Sequence, residues 1–357
     1  MDRRTFLAAS AGLMTPRIAS ATTETATVGL LLVGPKTDGG WSQHHHESMQ
    51  EAIDRFDGRV DMMVQESVPE GADAERALTQ MALRGADLIF AASFGYMDPT
   101  IAVASRFPDV RFEHATGFKT APNVAVYNPR FYEGLAVMGH IAGRMTETKK
   151  IGIVAPYPIP LVFRGINSIF AHARQQAPDV EMNIVWINTW FDPAREADAT
   201  RALLEQGADF VLSLTDSTAP LAAIEAHGTG WGFGFTSDMV EYAPYPRLSS
   251  VITNWTPYYA ERIGALLDGT WTSGNRWDGL AHGMVLVGDF SDAMPPEVRE
   301  SAGALAADIA SGAVHPFTGP LRRQDGSVWL ADGAVADDGS LAGMDFLLDG
   351  IASPMPR

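Results

Sequence analysis

The sequence predicts an α/β protein with two lobes, each built on a mostly parallel sheet, and three observations support this. Apolar runs at residues 28–33 and 87–91 have the continuous hydrophobicity of strands buried on both faces. Segments with helical spacing of apolar residues separate such runs, which indicates parallel sheets covered by helices. The length of 357 residues exceeds that of one ordinary small domain and suits two lobes.

The elements of the first predicted unit follow this alternation. Strands are predicted at residues 28–33, 62–64, 87–91, 110–113 and 124–127, and helices begin near Ser42, Ala74 and Pro99. In the first helix, Met49, Ala52 and Ile53 recur at the spacing of one helical face. This unit therefore has the pattern of one complete lobe.

The alternation restarts with a helix over residues 131–145. Further strands are predicted at 151–154, 181–187, 210–214, 232–235 and 251–253, with helices at 161–175, 194–206, 219–227 and 257–268. The segment after Gly274 is rich in Gly, Asp and Pro, which favours short strands and loops. The second unit thus repeats the architecture of the first, without a recognisable sequence repeat.

The first 21 residues are typical of a cleaved export signal. Arg3 and Arg4 precede an apolar stretch at residues 6–14, and Ala19-Ser20-Ala21 supplies the small residues that signal peptidase needs. The paired arginines favour the twin-arginine route, a basic start by chance being the alternative. We expect cleavage near Ala21 and a soluble periplasmic protein.

Composition excludes several classes of function. The formal net charge of −17 argues against binding to nucleic acid or to an anionic membrane, since both require a basic face. The absence of cysteine from the sequence excludes disulfides, thiolate metal sites and cysteine nucleophiles.

Motifs of common enzymes are also missing from the sequence. The loop at residues 34–40 is not G-x-G-x-x-G, and neither a P-loop nor G-x-S-x-G occurs. Adjacent helical residues point about 100° apart, so His44, His45 and His46 cannot converge on one ion. We therefore predict no metal, cofactor or catalytic residue, and expect one of these histidines to face a ligand.

The sequence resembles the basic membrane protein family of solute-binding proteins, whose members include purine nucleoside receptors of ABC importers. The matching segments are residues 37–42, 68–73, 93–99, 112–117, 164–167, 188–193, 237–239 and 315–320. The resemblance implies a type I periplasmic-binding-protein fold, with two doubly wound parallel-sheet lobes joined by three crossing strands. We place the crossings at residues 124–130, 235–238 and 252–254.

On this basis the mature chain divides into two lobes and a tail. The N-terminal lobe takes residues 25–128 plus 256–290, the C-terminal lobe takes 129–254 plus 291–330, and residues 331–357 pack on the lobes. The resemblance implies that a purine binds between the lobes, that the lobes close around it, and that an inner-membrane ABC permease is the partner. We expect a monomer, because each lobe must move.

The resemblance also implies the aromatic residues that stack on the ligand. Trp41 occupies one stacking position of the family, and Trp190 or Phe191 occupies the other, with Trp190 preferred. Phe94 and Tyr96 follow the end of a predicted strand, where ligands of open α/β sheets bind. Stacking of a base on an aromatic ring contributes on the order of 1–3 kcal/mol.

Polar candidates lie at other strand ends. Asp216 and Asp238 follow predicted strands, where their carboxylates are placed to accept from ligand N–H groups or to cap helices. Asp38 and Ser42 flank Trp41, and Asn254 follows the last crossing strand. We include all five as ligand-binding candidates.

A departure from the family pattern bears on the ligand. Nucleoside-binding relatives carry a lysine near the last crossing strand, where this chain has Asn254 and Trp255. A Trp255 that fills the space of a ribose predicts a nucleobase such as adenine. The alternatives are a receptor for a non-purine heterocycle, a subunit that feeds a sensor, and an exported nucleoside-processing enzyme that uses Asp38, Asp216 and Asp238.

Overall fold

The computed structural model describes residues 24–356, so the predicted export signal and its cleavage site near Ala21 lie outside the described residues. The strands are β1 Ala26–Leu32, β2 Val60–Gln65, β3 Leu88–Ala92, β4 Arg111–Ala115, β5 Val124–Pro129, β6 Lys150–Ala155, β7 Glu181–Trp186, β8 Phe210–Ser213, β9 Trp231–Thr236, β10 Arg247–Thr253, β11 Asn275–Asp278, β12 Val285–Val287, β13 Leu321–Arg322 and β14 Val328–Leu330. The helices are α1 Trp41–Ile53, α2 Ala72–Leu83, α3 Met97–Ala104, α4 Phe131–Met145, α5 Pro160–Gln176, α6 Pro193–Glu205, α7 Ala219–His227, α8 Thr256–Leu267, α9 Pro296–Ser311 and α10 Asp338–Ala342.

Two six-stranded sheets organise the described residues, in the orders β11-β5-β4-β3-β1-β2 and β12-β10-β9-β8-β6-β7. Their strand pairs are parallel except for the antiparallel pair of β10 and β12. The predicted α/β class is confirmed. We refer to the first sheet with its helices as the first lobe and to the second as the second lobe.

Strand β1 illustrates why continuous apolar runs form the centre of each sheet. Its Leu30, Leu31 and Leu32 are all fully buried. Because successive side chains of a strand point to opposite faces, Leu30 and Leu32 enter one hydrophobic core and Leu31 enters another. The helices on both sides of the sheet supply these two cores.

The chain passes between the two sheets three times. It does so after β5 at Pro129, after β10 at Thr253 and between Asp278 of β11 and Val285 of β12. The predicted crossing at 235–238 is wrong, because β9 and β10 lie in the same sheet. Strand β12 pairs with β10 in the second sheet, although residues 256–290 were predicted to belong to the N-terminal lobe. The other predicted domain boundaries stay predictions.

The C-terminal tail packs on the second lobe. The amide of Asn167 in α5 donates to the Phe346 carbonyl at 2.8 Å and accepts from the Leu348 amide at 2.9 Å. The guanidinium of Arg130, at the first passage between the sheets, forms a two-bond pair with Asp338 of α10. No helix of residues 24–356 is long and apolar enough to cross a bilayer.

Candidate functional site

A cavity lies between the two lobes, with about 500 Å³ of space not filled by atoms when the open solvent at its edge is included. We call it the inter-lobe cavity. The residues that line it are Val33, Trp41, Ser93, Phe94 and Thr116 of the first lobe, and Phe131, Leu135, Leu161, Val162, Gly165, Trp190, Leu214, Asp216, Phe235 and Thr236 of the second. Many of them follow the carboxyl ends of parallel strands, where open α/β sheets bind their ligands.

The wall of this cavity is mainly apolar. Apart from the tryptophans, its polar side chains are Ser93, Thr116, Asp216 and Thr236. Mostly apolar walls with a few placed polar groups are typical of sites for small organic molecules. The arrangement therefore suits a weakly polar organic molecule.

Trp41 begins α1 and forms part of the cavity wall in a fixed orientation. Its indole Nε1 donates to the backbone carbonyl of Ala92 at 2.8 Å. The ring packs edge-on against His45, with 4.2 Å between ring centroids, and tilts toward Phe131. Only 7% of Trp41 is exposed, so the cavity wall and the hydrophobic core share this residue.

Trp190 lies opposite, on the loop after β7. Its Nε1 donates to Oε1 of Glu70 in the first lobe at 3.1 Å, and its backbone carbonyl accepts from the Asp216 amide at 3.0 Å. Its neighbour Phe191 does not line the cavity but borders a wider opening beside it, which we call the mouth. Of the two aromatic candidates, Trp190 therefore faces the cavity.

Asp216 follows β8 and brings a carboxyl group to the cavity. Its side chain is buried, and Oδ2 has no hydrogen-bond partner among the described residues. Burial raises the pKa of this carboxyl well above its ordinary value, and the negative charges of Asp38, Glu196 and Glu70 raise it further. Asp216 thus brings to the cavity lining a carboxyl group with one oxygen that lacks a hydrogen-bond partner among the described residues.

Asp38 and Ser42 have structural roles at the start of α1. The Asp38 carboxylate accepts from the backbone amides of Gly40, Ser42 and Gln43 at 2.8–2.9 Å. Burial raises the pKa of Asp38, and these hydrogen bonds act in the opposite direction. The Ser42 hydroxyl accepts from the Gly34 amide. Neither lines the cavity, because both satisfy orphan amides of the helix and its loop.

Phe94 and Tyr96 lie in different environments although they are only two residues apart in the sequence. Phe94 lines the cavity, whereas Tyr96 is fully buried and its hydroxyl donates to the Val68 carbonyl at 2.6 Å. Residues 94–96 form a short 3-10 turn, so alternate side chains do not share a face as they would in a strand. Tyr96 consequently belongs to the core of the first lobe.

Three further candidates lie outside the cavity lining. Asp238 faces Arg247, with 3.4 Å between Oδ1 and the guanidinium, and its side chain is 41% exposed. The backbone N–H of Asn254 donates to the Met284 carbonyl at the second passage between the sheets. Trp255 is fully buried and stacks on His45 at 4.5 Å. Trp255 therefore belongs to the core and does not line the cavity, contrary to the expectation that it takes the place of a ribose.

The histidine run is divided among separate contacts. His44 Nε2 hydrogen-bonds the Thr253 carbonyl and His45 Nδ1 hydrogen-bonds the Tyr259 hydroxyl. None of the three lines the inter-lobe cavity, so the expectation of a ligand-facing histidine is wrong. In the part of the chain that the structure describes, no group of three or more His, Asp or Glu side chains is arranged to hold a metal ion.

Sequence reasoning missed several cavity residues. Ser93, Thr116 and Thr236 end strands or follow them directly, and that position is the signal that predicts them. Phe131 and Phe235 tilt toward each other, with 5.0 Å between centroids, although their sequence context resembles that of ordinary core residues. Glu70, which bridges Ser93 and Trp190, lies in the family-like segment at 68–73.

Comparison with known proteins agrees with this geometry. Residues 25–309 match the family described as ABC transporter substrate-binding protein PnrA-like. A purine-binding protein of Brucella abortus (strain 2308) is 44% identical over 98% of this chain and 99% of its own. A putative ABC transporter glucose-binding protein of Haloferax volcanii is 32% identical, covering 83% of this chain and 75% of its own.

Solved structures agree on the fold. A solute-binding protein of Aeropyrum pernix K1 superimposes with a TM-score of 0.70 at 20% identity, over 81% of this chain and 92% of that one. The fold is that of type I periplasmic-binding proteins. This chain therefore belongs to the Bmp family of PnrA-like ABC transporter substrate-binding proteins.

Proposed function

We propose that this chain captures a purine for an ABC importer in the periplasm, with a free nucleobase such as adenine preferred over a nucleoside. The observation that carries the proposal is the placement of Trp41 and Trp190 on opposite lobes around one mainly apolar cavity. The indole rings offer flat faces to a heterocycle, and Asp216 offers a polar group to its edge. The purine-binding relative at 44% identity supports the same ligand class.

The preference for a nucleobase rests on the polarity of the wall. A ribose brings several hydroxyl groups, and each buried hydroxyl without a partner costs free energy. The leucines, valine and phenylalanines at positions 131, 135, 161, 162, 214 and 235 offer no such partners. The polar groups of the wall suffice for the edge of one base.

The same argument opposes a sugar, despite the glucose-binding name of the Haloferax volcanii relative. A hexose presents hydroxyl groups around its whole circumference. Hydroxyls that face the apolar part of the lining have no side-chain partner there. We therefore expect the affinity for sugars to be lower than that for purines, with other flat heterocycles intermediate.

The enzyme alternative needs convergent acid and base groups. Of the three carboxylates considered, Asp216 lines the cavity, Asp38 is engaged by the amides of α1, and Asp238 faces Arg247 outside the lining. This arrangement favours binding without chemistry. The lobes then close by hinge motion at the three passages between the sheets, and the closed monomer presents both lobes to a permease.

Calorimetry tests this proposal on the mature protein after unfolding, dialysis and refolding to remove bound ligand. Adenine, adenosine, guanosine, hypoxanthine and glucose are titrated separately, and the ligand is recovered afterwards to check for a product. We expect micromolar or tighter binding of adenine without product. Tighter binding of adenosine would overturn the nucleobase preference, and binding of glucose alone would overturn the purine class.

A further inference from the structure

The carboxyl group of Asp216 differs from the other carboxyl groups around the cavity in its hydrogen bonds. Asp216 lines the inter-lobe cavity and is only 4% exposed. Its buried Oδ2 has no partner among the described residues. A buried ionised carboxylate requires donors or a cation nearby.

The hydrogen-bond donors on either side of Asp216 in the chain bind Glu196 of α6 instead. Both chain neighbours of Asp216 turn away from it: Oε2 of Glu196 accepts from the Thr215 hydroxyl at 2.7 Å and from the Ser217 hydroxyl at 2.7 Å. Oε2 also accepts from the Ser217 amide, and Oε1 accepts from the Asp192 amide. Glu196 therefore takes the donors that flank Asp216 in the chain, and Oδ2 of Asp216 is left without a partner among the described residues.

Two loops of the first lobe add further carboxylates that already have donors. Glu70, between β2 and α2, accepts from the Ser93 hydroxyl, the Gly95 amide and Trp190 Nε1. Asp38, between β1 and α1, accepts three backbone amides. The charged groups that act on Asp216 are these three acids. Four carboxyl groups thus share one region, and Asp216 is the one of them with a buried oxygen that lacks a hydrogen-bond partner among the described residues.

We propose that Asp216 holds its ligand as a neutral carboxylic acid, with its O–H donated to a ring nitrogen and its C=O accepting from an adjacent N–H. This inference rests on the proposed function and specifies the edge that the ligand presents. Adenine has such an edge, where its amino group adjoins a ring nitrogen. The direction of the Asp216 pKa, raised by burial and by Asp38, Glu196 and Glu70, agrees with the hydrogen-bond pattern.

Binding should depend on pH, because Asp216 must carry a proton in order to donate to the ligand. Affinity is constant while Asp216 of the ligand-free protein is protonated, and it falls by up to tenfold per pH unit above the raised pKa of that ligand-free carboxyl. An ionised Asp216 offers two acceptors and leaves the ring nitrogen unpaired. The opposite trend, with tighter binding on deprotonation, would overturn the proposal.

The decisive comparison is between Asp216→Asn and Asp216→Ala. An amide presents one N–H donor beside one C=O acceptor, as the neutral acid does. We expect Asp216→Asn to bind adenine within about threefold of the wild type, whereas Asp216→Ala loses about tenfold or more. Because adenine itself titrates, the ratio of wild-type to Asp216→Asn affinity is followed with pH, and we expect that ratio to fall as the pH rises. Equal losses in Asn and Ala, or no loss in Ala, would overturn the proposal.

Unsubstituted purine lacks the amino group of adenine and therefore tests whether that group donates to Asp216. It should bind the wild type and Asp216→Asn about tenfold more weakly than adenine, and the difference should shrink in Asp216→Ala. An undiminished difference in Asp216→Ala would place the amino group elsewhere and contradict the pairing.

Failure of the proposed function can be distinguished from failure of this inference. If the wild type binds no purine at all, infrared difference spectra of ligand-free wild type against Asp216→Asn still report whether the carboxyl is protonated. A protonated C=O stretch at neutral pH supports the neutral acid for another ligand class. A carboxylate band overturns the inference.

Discussion

The indole nitrogen of Trp190 in the second lobe donates to the carboxylate of Glu70 in the first lobe, at 3.1 Å. A second bond across the lobes runs from the Ser237 hydroxyl to the Gly39 carbonyl at 2.7 Å. Both connect loops that follow strands on facing sheets. The structure is therefore a closed arrangement, in which contacts between the lobes can be tested by mutation.

Replacement of Glu70 by alanine should open the lobes more readily. The carboxylate also holds Ser93 and Gly95, so its loss removes one cross-lobe bond and loosens a loop of the wall. Hydrogen bonds to charged groups contribute about 1.5–3 kcal/mol, which corresponds to roughly 10- to 150-fold weaker adenine binding, mainly through faster dissociation. Stopped-flow displacement measures this rate. Glu225→Ala, at an exposed position of α7, is the control, and equal rates in both variants would refute the role.

Gly40 allows the two backbones to meet at the closed interface. A Cβ at this position would overlap the backbone carbonyl oxygen of Asp216 in the other lobe. Backbone cannot yield as a flexible side chain can, so Gly40→Ala should hold the lobes apart and weaken adenine binding by at least about tenfold. Small-angle scattering should show a smaller ligand-induced decrease in radius of gyration than in wild type. Gly274→Ala, where a Cβ meets open space, should close normally.

The sequence predicts the sheets better than the site because burial on both faces leaves a pattern and cavity lining does not. The run predicted at 28–33 is strand β1, Ala26–Leu32. The third passage between the sheets was missed because it joins β11 and β12, of four and three residues, which are too short for periodicity to reveal.

Within the site, the family resemblance pointed to Trp41 and Trp190, and the places of Phe94 and Asp216 after predicted strands pointed to those two; all four line the cavity. Asp38, chosen beside Trp41, and Trp255, chosen where relatives carry a lysine, have other roles in the structure. Asp38 satisfies amides at the start of α1, and Trp255 turns into the core against His45. Side-chain direction after a strand depends on tertiary packing, which one sequence does not encode locally.

Trp190→Ala should weaken binding without unfolding the protein. The side chain is half-buried and lines both the cavity and the mouth. Its removal therefore takes fewer contacts from the hydrophobic core than removal of the buried Trp41 would. Loss of one stacking face costs on the order of 1–3 kcal/mol, or roughly 5- to 150-fold in adenine affinity. Calorimetry measures the change. Trp231→Ala removes a tryptophan of β9 that packs on Tyr245, away from the cavity lining, and should leave affinity unaltered; an equal loss there would point to general destabilisation.

Two buried histidines make the fold sensitive to acid. Burial lowers the pKa of His114 and of His172 from 6.5 to about 4, and Nδ1 of each ring has no partner among the described residues. The unfolded chain takes up these protons below pH 6.5, whereas the folded chain resists until about pH 4. The stability that neutral rings contribute is therefore complete above pH 6.5 and is lost as the pH falls toward 4.

His172 gives a test away from the cavity. Its Nε2 hydrogen-bonds the Pro316 carbonyl at 3.1 Å, and a glutamine retains a donor there without titrating. Between pH 7 and pH 4.5, the free energy of unfolding in urea should fall by about 2 to 3 kcal/mol less in His172→Gln than in wild type. Comparing the difference between two pH values removes any constant cost of the substitution. His227→Gln, at an exposed position, should match the wild type. An identical pH dependence in His172→Gln would show that this ring takes up its proton without opposing the fold.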